Sequence, residues 1–171
     1  MITLKVGDEL PSVGLRATDG YLLNLRSFVT KQPALFLFFG APTMAAAARR
    51  KGAKAIEALG EGFDRLREAG IAVAAVSCDS EEQQKAFAEK ESLPFLLLSD
   101  ERRTAVALLG IETTADGENV NVARPVAVAV DRDGLVRAVF EPLQPDALVD
   151  QAVRALSEPI PAATEDASAA S

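Results

Sequence analysis

The hydrophobic positions of this chain fall into three kinds of run. Unbroken apolar stretches at residues 34–39 and 71–76 have the length and composition of strands buried on both faces. Residues 12–18 alternate into Asp19-Gly20 and residues 21–25 follow, which predicts a β-hairpin at the front of the domain. A second hairpin is predicted where residues 126–130 and 135–140 flank Asp131-Arg132-Asp133-Gly134. The third kind recurs at intervals of three and four: Ala48, Gly52, Ile56, Leu59, Phe63 and Leu66 mark one core-facing stripe of a helix from residue 43 to about 69. Gly52, Gly60 and Gly62 weaken that helix and mark where it would kink or split.

The remaining elements follow from start and stop signals. Asp79 or Ser80 caps a helix over residues 81–90, residues 95–98 form a short strand, and a helix over 101–109 ends at Gly110. Residues 112–122 are polar and irregular and read as a loop, and 145–156 is a closing amphipathic helix. The order hairpin, β, α, β, α, β, α, ββ, α puts parallel strands with crossover helices ahead of an antiparallel hairpin. The simplest assembly is an α/β, thioredoxin-like fold with an N-terminal β-hairpin extension and a mixed central sheet flanked by helices.

Composition narrows what such a domain does. At 171 residues the chain suffices for one core without disulfides or metals. A net charge of −7 repels polyanions, and basic residues gather only at Arg49, Arg50 and Lys51, so no nucleic-acid partner is expected. Residues 1–10 lack the apolar core of a signal peptide, and no run approaches membrane-spanning length, so no membrane partner is expected either. With a lone cysteine this favours a soluble, cytoplasmic protein. Residues 158–171 are mostly Ala, Ser, Pro and acidic, a composition of a disordered tail behind a domain of residues 1–157.

Two absences constrain the chemistry. Without histidine, Ser/His and Cys/His nucleophile pairs are impossible and the common catalytic zinc sites lose their usual ligand. With one cysteine, a CxxC redox motif and an internal disulfide are impossible too. No metal and no cofactor is expected.

Several blocks nevertheless carry a resemblance. Val6-Gly7-Asp8 with Pro11, Leu15, Asp19-Gly20, Leu25 and Phe28 stands at the front. Val76-Ser77, Asp79-Ser80, Phe87, Lys90, Leu93-Pro94-Phe95 and Leu97-Leu98-Ser99-Asp100 follow the second core strand, and Arg124, Asp131 and Gly134 come late. In this order and spacing they resemble the peroxiredoxins (alkyl hydroperoxide reductase / thiol-specific antioxidant family), particularly the bacterioferritin-comigratory branch. The resemblance covers nearly all of residues 6–156, and it implies a thiol peroxidase of an antioxidant family whose members often dimerise.

The active-site segment departs from that family. There the resemblance calls for Pro, three residues, Thr or Ser, two residues and the peroxidatic Cys, just after the first core strand. Here the stretch reads Phe39-Gly40-Ala41-Pro42-Thr43-Met44-Ala45-Ala46-Ala47-Ala48-Arg49. Counting from Phe39 puts Ala41 at the proline, Ala45 at the threonine and Ala48 at the cysteine, and a related redoxin pattern also places a cysteine at Ala48. Taking Pro42 as the motif proline moves the position to Arg49, and neither frame supplies a thiol.

Three residues remain as candidates for a residual site: Cys78, the only thiol, at the carboxyl end of the second core strand; Arg124, the late arginine; and Thr43, which on a plainer view is the N-cap of its helix. The leading expectation is therefore a family member without peroxidase activity, acting as a binding or scaffolding domain with a homodimer or a redox partner protein. The competing one is a peroxide-reducing enzyme that uses Cys78 as a displaced nucleophile. A third reading is that the alanines of residues 45–48 were introduced in place of native cysteines.

Overall fold

The computed structural model describes residues 2–39, 46–116 and 119–157, and of residues 46–51, 114–116 and 119–123 the backbone alone. The disordered tail expected from residue 158 lies outside the described residues.

The front hairpin forms as the alternation requires, with β1 (Gly14–Ala17) antiparallel to β2 (Leu22–Asn24). One helical turn missing from the sequence reading follows, α1 (Leu25–Phe28), capped by the Asn24 side chain, which accepts from the N–H groups of Arg26 and Ser27. The unbroken apolar runs become β3 (Ala34–Phe38) and β4 (Ala72–Ser77), paired in parallel. Every residue of β3 is buried.

The long helix is split, as its glycines suggested, into α2 (Ala46–Glu61) and α3 (Phe63–Glu68). The break falls at Gly62, where a side chain would come within 2.6 Å of Val149, so the missing Cβ is what lets the closing helix approach. Then come α4 (Glu81–Glu91), β5 (Leu96–Ser99) and α5 (Thr104–Leu109). Ser80 and Gln83 form a reciprocal capping box at the start of α4, which decides between the two caps expected there.

Two expectations need correction. The helix expected from residue 101 begins at Thr104: residues 101–103 form a turn instead, in which Arg103 takes a left-handed conformation (φ 60°) and its N–H donates to Asp100 O. The stretch 112–122, read as a loop, contains a separate two-stranded hairpin, β6 (Thr113–Asp116) with β7 (Asn119–Ala123). Its Thr and Val residues favour extended backbone, and the polar residues between them hid that preference.

The chain closes with β8 (Val126–Val130), β9 (Val136–Phe140), a 3-10 turn (Pro145–Ala147) and α6 (Leu148–Ser157). The Asp131 carboxylate holds the β8–β9 turn by accepting from the N–H groups of Asp133 and Leu135.

The strands assemble into a seven-stranded mixed sheet of order β2-β1-β5-β4-β3-β8-β9. Helices α2, α3 and α6 cover one face around Leu35, Leu37, Leu59, Leu66 and Leu97. The other face packs Phe36, Phe38, Val76 and Val128 against α5, Leu10 and Leu25. Among the described residues no helix is long and apolar enough to cross a membrane.

Candidate functional site

The three parallel strands β3, β4 and β5 end at one edge of the sheet, and each is followed there by a helix. Parallel pairing thereby gathers strand ends and helix starts, which is where open α/β sheets carry their sites. Ala48 is the third residue of α2 and lies in its first turn, where backbone N–H groups lack intrahelical partners. Thr43 and Ala45 lie outside the described residues, and of Ala48 only the backbone is described. Phe39, just beyond β3, is buried, donates its N–H to Val76 O at 3.0 Å and packs its ring against Phe87, centroids 6.2 Å apart.

Cys78 follows the last residue of β4. Alternation along the strand groups it with Ala74 and Val76 in the layer that packs on α5, whereas Val73 and Ala75 face Ala55, Ile56 and Leu59 of α2. The only thiol of the chain is thus 7% exposed and belongs to the core on the sheet face away from the buried side of α2. Arg124 lies on the surface, its side chain 58% exposed and donating to Glu112 Oε1 at 2.5 Å. Its N–H donates to Glu112 O at 2.9 Å, so both bonds close the base of the β6–β7 hairpin.

A largely buried polar network occupies the same edge; the sequence names Ser77, Asp79, Ser99 and Asp100 only as cap candidates or as part of the family resemblance, and does not name Gln84. Ser77 Oγ donates to Asp79 Oδ2 at 2.7 Å and accepts from Gln84 Nε2 at 2.9 Å, while Gln84 Nε2 also donates to Leu98 O at 2.6 Å. Ser99 Oγ donates to Asp79 O at 2.6 Å, and the Asp100 N–H donates to Ser77 O at 2.8 Å. The Asp100 carboxylate accepts from the N–H groups of Ala105 (3.1 Å) and Val106 (2.9 Å) and so caps α5 from outside the helix. These bonds tie the end of β4 to the end of β5 and both to the helices that follow. The legible signal was the Ser-x-Asp and Ser-Asp endings of two apolar strands.

Burial sets the electrostatics of this network. Desolvation holds the carboxyl of Asp79 above the usual carboxylate range, opposed by the Ser77 hydrogen bond and the Arg103 guanidinium. Asp100 is also raised by desolvation, opposed by the backbone N–H groups at the start of α5 and by Arg103. Outside the network a cleft of about 610 Å³ opens, with Arg16, Glu81, Glu82, Asp100 and Arg102 along it and Arg16 3.7 Å from Glu81. Among the described residues no group of three or more acidic or cysteine side chains is placed to hold a metal ion.

Comparison with known proteins agrees with this architecture. The family model described as "AhpC/TSA family" matches residues 6–139. Peroxiredoxin Bcp of Escherichia coli strain K12 is 31% identical over 143 residues, which cover 82% of this chain and 88% of that protein. Chloroplastic peroxiredoxin Q of Sedum lineare is 27% identical over 151 residues, covering 88% and 76% respectively. Among solved structures, peroxidoxin BcpB of Mycobacterium tuberculosis superposes with a TM-score of 0.76 at 23% identity, covering 90% of this chain and 97% of that one. With the match extending from the front hairpin into β9 and the thioredoxin-like sheet in place, the chain belongs to the AhpC/TSA family of peroxiredoxins, in its Bcp and peroxiredoxin Q branch.

Proposed function

We propose that this peroxiredoxin-family chain has lost thiol peroxidase activity and serves as a binding or scaffolding domain, working in the cytoplasm as a homodimer or with a redox partner protein. Peroxide reduction needs a thiolate to attack one peroxide oxygen, forming an S–O bond and breaking O–O, so that sulfur is oxidised to a sulfenic acid and an alkoxide or hydroxide leaves. Alanine at 48 has no atom for that step. The observation that carries the reading is the burial of the one remaining thiol: Cys78 packs in the core on the sheet face away from the buried side of α2. Reactive cysteines are partly exposed in electropositive surroundings, whereas buried ones are inert.

The test is stopped-flow consumption of hydrogen peroxide by the full chain, with Cys78→Ala beside it. The expected rate is no faster than that of an ordinary free thiol. Rapid turnover abolished by Cys78→Ala would overturn the reading in favour of a displaced nucleophile. A second arm places Ala48→Cys in the Cys78→Ala background. In the first turn of α2 the introduced thiol is expected to titrate below the unperturbed value of about 8.5, read from thiolate absorbance against pH.

A further inference from the structure

A second cleft, of about 440 Å³, opens at the other end of the parallel strands, where Ala72 begins β4 and Leu96 begins β5. Beside it α3, six residues long, packs on β4, and α4 packs on β5. In the gap Phe63 and Phe95 meet with ring centroids 6.3 Å apart, and Phe28 from α1 joins the lining. Phe28, Phe63 and Leu93 are half-buried, so the cleft presents apolar surface to an incoming molecule. Its volume lies within the range of small-molecule sites, about 300–1,000 Å³, and its lining has their composition of apolar walls with a few polar groups.

The charged lining residues are Asp19 and Arg67. Asp19 Oδ1 accepts the Tyr21 N–H at 3.0 Å within its own hairpin turn. Arg67 pairs with Asp64 one helical turn away at 3.0 Å, but both side chains are largely exposed (67% and 78%). Such a pair is weak in water and easily exchanged. A guanidinium offers a planar fork that matches a carboxylate with two parallel hydrogen bonds. We infer that this cleft binds a small amphipathic carboxylate, its alkyl or aryl part among Phe28, Phe63 and Phe95 and its carboxylate on Arg67. The site lies at the strand ends opposite Ala48 and stands independently of any peroxide chemistry.

Decanoate and decyltrimethylammonium below their micellar concentrations and decanol below its solubility limit are the probes, titrated into the full chain and followed by calorimetry and by NMR of the phenylalanine rings. Decanoate is expected to bind saturably at one site, with shifts concentrated at Phe28, Phe63 and Phe95. Arg67→Gln is expected to weaken decanoate roughly tenfold, the loss of one charge-assisted contact, and to leave decanol unchanged. Ala88→Phe, which fills the cleft, is expected to abolish both. Arg67 is exposed, so its substitution keeps the fold and decides the matter alone should Ala88→Phe not fold. Absence of saturable binding, tighter binding of the cationic probe than of decanoate, or indifference of decanoate to Arg67→Gln would each overturn the inference.

Discussion

The two ends of the parallel strands are built on opposite principles. At the carboxyl ends of β4 and β5, the buried Ser77, Asp79, Gln84 and Asp100 and the half-buried Ser99 are joined to one another and to backbone groups, and two desolvated carboxyls sit near one arginine. At the amino ends the contacts are aromatic and aliphatic, and the polar residues stay at the rim. Apolar packing is non-directional, whereas every buried polar atom without a partner costs stability, and among the described residues Gln84 Oε1 of this network is one such atom. Both ends open a cleft, but the one at the carboxyl ends is lined by charged groups such as Arg16, Glu81, Glu82, Asp100 and Arg102, and the one at the amino ends by Phe28, Phe63 and Phe95.

The largest effect is expected from an aromatic side chain at the amino end. Phe95→Ala at the amino end is expected to cost about 3 kcal/mol through loss of buried aromatic surface, and the loss is expected to be the same at every pH, as measured by urea denaturation. A pH-dependent loss would mean that the amino end is coupled to the carboxyl network.

Asp100→Ala is expected to cost about 2 kcal/mol, because it strips the acceptors from the N–H groups of Ala105 and Val106 inside the core. Hydrogen exchange at those two amides checks the cause: they are expected to lose protection before the strands do.

The pH dependence sharpens the same comparison. Asp79 and Asp100 titrate above their ordinary value in the folded chain, so the folded state holds these protons more tightly than the unfolded one. The stability they contribute is greatest below the ordinary carboxylate range, near about 4, and falls as pH climbs through the raised folded values. Asp79→Asn removes one of the two groups. Its stability relative to the parent is expected to improve steadily across that window, and a difference that stays flat with pH would show that the Asp79 carboxyl is not desolvated. At the small end, Arg124→Ala is expected to cost less than about 0.5 kcal/mol, since its pair with Glu112 is exposed. A larger loss in thermal unfolding would mean that the β6–β7 hairpin depends on this pair.

Much of the fold was legible because its signals are local. The unbroken apolar runs of β3 and β4, the Asp-Gly turns and the glycine-weakened helix each announce themselves within a short window. What escaped the reading was of two kinds, a partner distant in sequence and local signals that were masked. The N-terminal segment lies along the β8–β9 turn and the start of β9, where Gly7 N–H donates to Val136 O and Leu10 N–H to Gly134 O, and nothing in residues 7–10 names that partner. The start of α5 was misplaced because its cap is the Asp100 side chain across a turn, not the residue next to the first helical position. The β6–β7 hairpin was missed because polar residues between Thr and Val masked an extended preference.

For the candidate site the division is similar. That the chain has one thiol, no histidine and alanine at 45 and 48 is a matter of sequence alone, and it limits any thiol chemistry to Cys78 whatever the fold does. Where the remaining groups stand was decided by tertiary structure. The sheet's alternation turned Cys78 into the core layer opposite the buried side of α2, Glu112 engaged Arg124 at the surface, and parallel pairing brought Ser77, Asp79, Ser99 and Asp100 into one hydrogen-bonded network. The physical reason is that residue type sets which reactions a chain is capable of, while side-chain facing and burial come from strand pairing and layer packing between segments far apart in the chain.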